Sequence, residues 1–175
     1  NTEPYTDFGM SPFYNHLPFS LTGAQNRAVG EILEDFRRGV PMNRLVQGDV
    51  GSGKTMVAAA AAYCAARNGA QTALMAPTEI LAEQHFASLS ALFVPLGVSV
   101  ALLTGSQTAK QKKDVRERIA AGEVQVVIGT HALLSESTRF DNLGLVITDE
   151  QHRFGVGQRS RLSAKGEDPH LLVMS

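Results

Sequence analysis

Eight consecutive residues, Gly48-Asp49-Val50-Gly51-Ser52-Gly53-Lys54-Thr55, set glycines, a lysine and a hydroxyl at the spacing of a phosphate loop. Glycines allow successive main-chain N–H groups to converge on phosphate oxygens, and a helix starting near Lys54 would aim the positive end of its dipole at the same anion. The Lys54 ammonium would reach the β and γ phosphates of a triphosphate such as ATP. The Thr55 hydroxyl would complete a Mg2+ shell otherwise made of phosphate and water. A glycine-rich turn with a chance lysine is the bland alternative. The apolar strand-like run before the loop and the helical run after it weigh against that alternative.

A second constellation is Thr148-Asp149-Glu150-Gln151-His152, which follows the apolar Leu145-Val146-Ile147. At a strand end, Asp149 can hold magnesium through water, and Glu150 can orient and deprotonate the water that attacks a γ phosphate. Alone, an Asp-Glu pair after a strand is more often a helix start with favourable N-terminal charge. Beside the phosphate loop, the catalytic reading prevails, with Lys54, Asp149 and Glu150 as its members.

Three further strand ends carry small polar groups: Ala76-Pro77-Thr78-Glu79, Thr104-Gly105-Ser106 and Gly129-Thr130-His131. Taken singly, Thr78 reads as a helix cap, Thr104-Gly105 as a turn and His131 as a satisfied loop histidine. As a set on one edge of a sheet, they could grip successive phosphates of a nucleic-acid strand without reading its bases. Gln25, ahead of the phosphate loop, could donate to and accept from an adenine edge. By itself it is a helix-start residue.

These positions need a scaffold, and the sequence describes one. Val29, Ile32, Leu33 and Phe36 repeat at helical spacing, with Gly39 and Pro41 as a stop. Downstream, strands are expected near residues 44–47, 72–76, 99–103, 125–128, 145–148 and 171–174, with helices near 54–67, 79–93 and 109–121. Strands without polar alternation, separated by helix-length segments, predict a parallel sheet covered on both faces, the α/β class. In such sheets ligands bind beyond the carboxyl ends of the strands. Residues 1–16 show no sustained period and read as an arm or linker that packs only partly.

Composition excludes several classes. The chain has 175 residues, 43% hydrophobic and 19% charged, a globular balance of single-domain size. Sixteen Lys and Arg against seventeen Asp and Glu give 16 − 17 = −1, so no global positive field draws in nucleic acid and any polyanion contact is local. Lys110, Lys112, Lys113, Arg116 and Arg118 are interleaved with Asp114 and Glu117, which favours a solvated helix face. The longest apolar run, residues 56–66, is too short and too alanine-rich for a membrane span. A soluble protein in a reducing compartment is expected, with one cysteine, Cys64, and no zinc-like spacing. The missing initiator Met and the strand-like run at 171–174 suggest a piece trimmed at both ends.

Taken together, the chain resembles the first motor lobe of a superfamily 2 helicase, and more narrowly the bacterial RecG-type branched-DNA helicases. The resemblance runs from about Leu17 to Ser175. It rests on Leu21-Thr22-Gly23-Ala24-Gln25, the phosphate loop with Asn43-Arg44-Leu45-Val46-Gln47 before it, and Ala76-Pro77-Thr78-Glu79-Ile80-Leu81-Ala82-Glu83-Gln84-His85. It continues through Gly129-Thr130-His131-Ala132-Leu133-Leu134 to Asp149-Glu150-Gln151-His152-Arg153-Phe154-Gly155-Val156, the most specific segment. Transcription-repair coupling translocases share Arg-Phe-Gly-Val but usually differ at the position of Gln151.

The resemblance implies a P-loop NTPase of RecA-like, three-layer form, with residues 17–175 as the ATP-binding domain, stopping at the start of the third motif. It further implies that Gln25 reads adenine, with Phe19 as a packing surface. His152 would relay nucleotide state toward Ser175. Thr78, Gly105, Thr130 and His131 would contact the DNA backbone. Branched and duplex DNA would be the partners, together with a second motor lobe and a wedge domain that these residues do not include, in a bacterial, nucleoid-associated cytoplasmic setting. Without the arginine fingers of the second lobe, hydrolysis by this lobe alone would be very slow. The resemblance also places the final strand between the strand before Gly48 and the strand ending at Asp149. The rivals are a nonhydrolytic nucleotide- or DNA-binding scaffold, for which Glu150 has no use, the motor lobe of a coupling translocase, and a metabolic P-loop kinase. The acceptor pocket and lid of a kinase are unmarked in the sequence.

Overall fold

A computed structural model of the chain describes residues 4–17, 19–46, 53–130, 134, 138–149 and 169–174. The elements run α1 (Ser11–His16), α2 (Gly23–Arg38), β1 (Asn43–Val46), α3 (Gly53–Arg67), β2 (Gln71–Ala76), α4 (Glu79–Phe93), β3 (Val100–Leu103), α5 (Ala109–Ala120), β4 (Val126–Thr130), β5 (Leu143–Asp149) and β6 (His170–Met174). All of the expected strands and helices are present, with boundaries within two residues of those read from the sequence.

Among the described residues, the strands form one sheet in the order β1-β6-β5-β2-β4-β3. Every neighbouring pair is parallel. The final strand therefore lies between β1 and β5, as expected. Alternate residues of the central strand divide between two cores: Leu74 and Ala76 join one, while Ala73 and Met75 join the other. A strand buried on both faces needs no polar alternation, which accounts for the unbroken apolar runs. The result is three layers.

The alanine-rich run becomes α3, in which residues 57–66 are all buried. A helix apolar on every side is a core helix, and α3 lies across β2, β5 and β6. Its alanines allow close approach to the sheet. Burial pushes the Cys64 thiol up to about 12, leaving it an inert core group. Ahead of the sheet, α2 opens with a capping box between Thr22 and Gln25 and ends at Gly39 in the left-handed conformation, φ 72°.

The amino-terminal arm packs in part, as expected, and contains a short helix that periodicity did not show. Tyr5, Met10 and Phe13 are buried, and residues 11–16 are helical. Periodicity missed this because much of the arm is an irregular strap whose backbone is held by side chains. Asn68 Oδ1 accepts from the N–H groups of Thr6 and Asp7 at 2.9 Å each. Its Nδ2 donates to the Asp7 carbonyl at 2.8 Å. Arg67 pairs with Asp7 at 2.9 Å, and this bond holds the Asp7 carboxyl below its usual range. Tyr5 reaches the start of β5, where a Cβ on Gly144 would stand 2.5 Å from the Tyr5 hydroxyl oxygen. Only glycine admits the ring there.

Candidate nucleotide and polyanion site

The strand registers align the carboxyl ends that carry the candidate residues. Val46 of β1 is level with Met174 of β6, which is level with Asp149 of β5. At about 4.8 Å per strand spacing, the end of β1 at Val46 stands about 10 Å from Asp149. Lys54 and Thr55 lie in the first turn of α3, and both are half-buried. A phosphate seated at that helix start would meet main-chain N–H groups, the Lys54 ammonium and the positive end of the dipole. Residues Gly48, Asp49, Val50, Gly51 and Ser52 lie outside the described residues, as do Glu150, His152, His131 and Ser175.

Among the described residues, no group of three or more His, Cys, Asp and Glu could cage a metal ion. One carboxylate, Asp149, and one hydroxyl, Thr55, make the sparse oxygen set that suits Mg2+, which keeps waters and phosphate oxygens as its remaining ligands. The residues present therefore fit that ion in company with a nucleotide.

Gln25 binds α2 to the head of α3. Its Oε1 accepts from the Thr22 N–H at 2.7 Å, and its Nε2 donates to the Gly53 carbonyl at 3.3 Å. That leaves one N–H and one oxygen lone pair for a base edge. Phe19 is 45% exposed and lines a cleft of about 450 Å3 together with Tyr14, Leu17, Ser20, Leu21 and Asn26. Its ring is available as a flat apolar surface. Tyr14, on α1, supplies a second ring, which no local pattern singles out.

The other half of the edge is formed by β2, β4 and β3. Ala76 is level with Thr130, and Leu103 with Gly129. Thr78 follows β2 and caps α4, accepting from the Leu81 N–H at 3.2 Å. The structural reading of Thr78 is thus satisfied, and its side chain is still exposed. Thr104 is buried and starts a turn in which its N–H donates to Gln107 Oε1 at 3.1 Å. Gly105 is exposed in that turn. Glu79 ties the two segments together, with Oε1 accepting from the Ser106 N–H at 2.9 Å. Thr78, Gly105 and Thr130 are therefore gathered at neighbouring strand ends, where short polar groups could meet a polyanion. On α5, Arg118 pairs with Asp114 at 3.7 Å, in keeping with a solvated face.

Two members of this region were not assigned from sequence. Glu79 stood at the end of a quoted strand-end segment without a role of its own. His85 stood inside a quoted motif without a role, yet its Nε2 lies 3.7 Å from Asp149 Oδ2.

Comparison with known proteins adds to this geometry. The family described as DEAD/DEAH box helicase matches residues 22–172. ATP-dependent DNA helicase RecG of Bacillus subtilis strain 168 is 57% identical over 163 residues, 93% of this chain and 24% of that protein. The Aquifex aeolicus protein of the same name is 56% identical over 91% of this chain and 20% of its own length. The chain thus spans about a quarter of the length of the curated relatives it matches. A solved structure of RecG bound to a three-way DNA junction superposes with a TM-score of 0.89 at 46% identity, over 99% of this chain and 24% of that one. The UvsW helicase of bacteriophage T4, at 16% identity and a TM-score of 0.70 over 99% of this chain and 61% of that one, shares the fold.

Proposed function

The chain belongs to the DEAD/DEAH box helicase family, and on that premise we propose that it is the ATP-binding and ATP-hydrolysing first motor lobe of a larger ATP-dependent DNA helicase of the RecG type. The lobe comprises residues 17–175, entered by an arm at residues 1–16. The observation that carries the reading is the row of strand ends. One half offers Asp149 at the end of β5 with Lys54 and Thr55 in the first turn of α3, the helix that packs across β5, and the other gathers Thr78, Gly105 and Thr130.

In this reading the loop from Gly48 to Gly53 cradles the phosphates, Lys54 neutralises their charge, and Thr55 and Asp149 hold Mg2+. Bound there, the ion offsets charge on the β and γ phosphates. Glu150 orients and deprotonates the attacking water. Gln25 and Phe19 receive the adenine. Thr78, Gly105, Thr130 and His131 grip the DNA backbone, and His152 and Ser175 pass nucleotide state onward. Branched DNA is the proposed substrate, because a relative at 46% identity is described on a three-way junction. A second motor lobe would supply arginine across the cleft, a contribution of about a thousandfold or more. A wedge domain would split the duplex. The proposed setting is the bacterial nucleoid, and no described helix is long and apolar enough to cross a membrane.

The test is DNA-stimulated phosphate release by the full-length protein carrying this lobe. Lys54→Ala is expected to abolish nucleotide binding, whereas Glu150→Gln retains binding and loses hydrolysis. Full turnover by Glu150→Gln would overturn the assignment of Glu150, and absence of release from the unmodified protein would leave a scaffold module.

A further inference from the structure

Helix α4 joins the two halves of the site edge. Thr78 caps it, Glu79 in its first turn holds the turn at Ser106, and His85 lies seven residues beyond the cap. Seven residues are about two turns, so Thr78 and His85 share a face about 10 Å apart along the axis. The His85 side chain is 14% exposed, and its Nε2 faces Asp149 Oδ2 at 3.7 Å. That nitrogen is buried and, among the described residues, has no hydrogen-bond partner.

The tautomer follows from the electrostatics. An unprotonated Nε2 would set its lone pair against carboxylate oxygen lone pairs, whereas a protonated Nε2 offers the carboxylate a donor. The separation of 3.7 Å exceeds a hydrogen bond, and closing it to about 2.9 Å needs a movement of about 0.8 Å. Leaving a buried N–H unmade is unfavourable, so the pair is set to close. Carboxylates that hold metal ions are commonly fixed by such outer partners, whose loss weakens metal binding by roughly 10- to 100-fold.

We propose that His85 is a positioning residue for Asp149, its Nε2–H holding Oδ2 so that the other carboxylate oxygen is presented to Mg2+ at the nucleotide. The helix that carries this imidazole is the one whose cap and first turn belong to the polyanion-facing half of the edge. This inference rests on the reading of Asp149 as the metal-holding carboxylate.

It is tested by binding of a fluorescent ATP analogue to the protein across a Mg2+ titration and in EDTA, with melting temperatures recorded alongside. His85→Ala is expected to raise the Mg2+ concentration for half-maximal tight binding about tenfold. Affinity in EDTA should stay unchanged, and His85→Gln, which keeps an N–H at a similar reach, should restore the Mg2+ response. Asp149→Asn serves as the reference. If it shifts the Mg2+ response and His85→Ala does not, the positioning role is wrong and the metal reading survives. If Asp149→Asn itself leaves the response unchanged, both fail. An equal loss of affinity with Mg2+ and in EDTA for His85→Ala would make His85 structural only and overturn the proposal. Should His85→Ala unfold, His85→Gln against His85→Leu carries the same comparison.

Discussion

The two edges of the sheet are built from opposite materials. At the amino edge, side chains bond to one another or to main chain. Gln71 Nε2 donates to the carbonyls of Ile119 at 3.0 Å and Val124 at 2.8 Å, and its Oε1 accepts from the Asn142 N–H at 2.8 Å. Ser99 and Gln125 close the β3–β4 end reciprocally. His170 accepts from the Met42 N–H at 2.8 Å and packs against Tyr5 and Phe36. At the carboxyl edge, Thr78 and Gly105 are exposed, and Asp149, Lys54, Thr55 and Thr130 are half-buried. One edge holds the layers together, and the other keeps polar groups within reach of a ligand. Substitutions at the two edges should therefore separate stability from binding.

The largest separation is expected at Gln71, which is 4% exposed. Gln71→Ala leaves the Val124 carbonyl and the Asn142 N–H without this partner, while the Ile119 carbonyl keeps the Gly122 N–H, at about 3 kcal/mol of folding stability in a denaturant titration. Magnesium-ATP affinity, measured at a temperature where the variant is folded, should stay within about twofold. Lys54→Ala should do the reverse, losing nucleotide binding while the unfolding midpoint holds. A Gln71 variant that weakened ATP binding without lowering stability would break the division.

His170 adds a pH-dependent form of the same contrast. Burial lowers its pKa from 6.5 to about 4. The unfolded chain takes up a proton near pH 6.5 that the folded chain refuses until about pH 4, so stability falls as pH drops through that window and the loss is complete below it. The upper limit is about 3 kcal/mol. His170→Asn, whose Oδ1 can accept from the Met42 N–H, should flatten this part of the profile. The difference between the two proteins between pH 6.5 and pH 4 is the quantity to measure, because Asp7, its pKa lowered by Arg67, also loses stability on acidification in both.

What was legible from sequence was whatever depends on short-range pattern. Strand runs, helix periods, the cap at Thr78 and the phosphate-loop spacing are all local. The position of β6 between β1 and β5 came from resemblance, since no local pattern encodes strand order. How the arm is held was not legible, because Asn68 and Arg67, which hold it, lie about sixty residues away in the chain. Gln71 lies just ahead of the strand expected at 72–76 and drew no reading, since its partners at Ile119, Val124 and Asn142 converge only after folding. Gln25 was read for its donor and acceptor, yet part of that capacity is taken by Thr22 and Gly53. His85 was invisible for the same reason as Gln71: the carboxylate it faces belongs to a distant element, β5.

The smallest effect concerns Thr78, where the two edges' logics meet in one side chain. Its hydroxyl accepts from the Leu81 N–H as a helix cap while remaining exposed. Thr78→Ala should lower stability by about 1 kcal/mol through loss of the cap, and Thr78→Ser should restore it. If the hydroxyl also donates to a DNA phosphate, the Ala variant of the full-length protein should bind DNA a few-fold more weakly, the scale of one neutral hydrogen bond. Ser should again recover the loss. The dependence of affinity on salt should be unchanged in slope, because a neutral hydroxyl displaces no counterion. Unaltered DNA affinity in Thr78→Ala, alongside the expected loss of stability, would make Thr78 a cap alone, and the polyanion-facing half of the edge would then rest on Gly105, Thr130 and their main-chain amides.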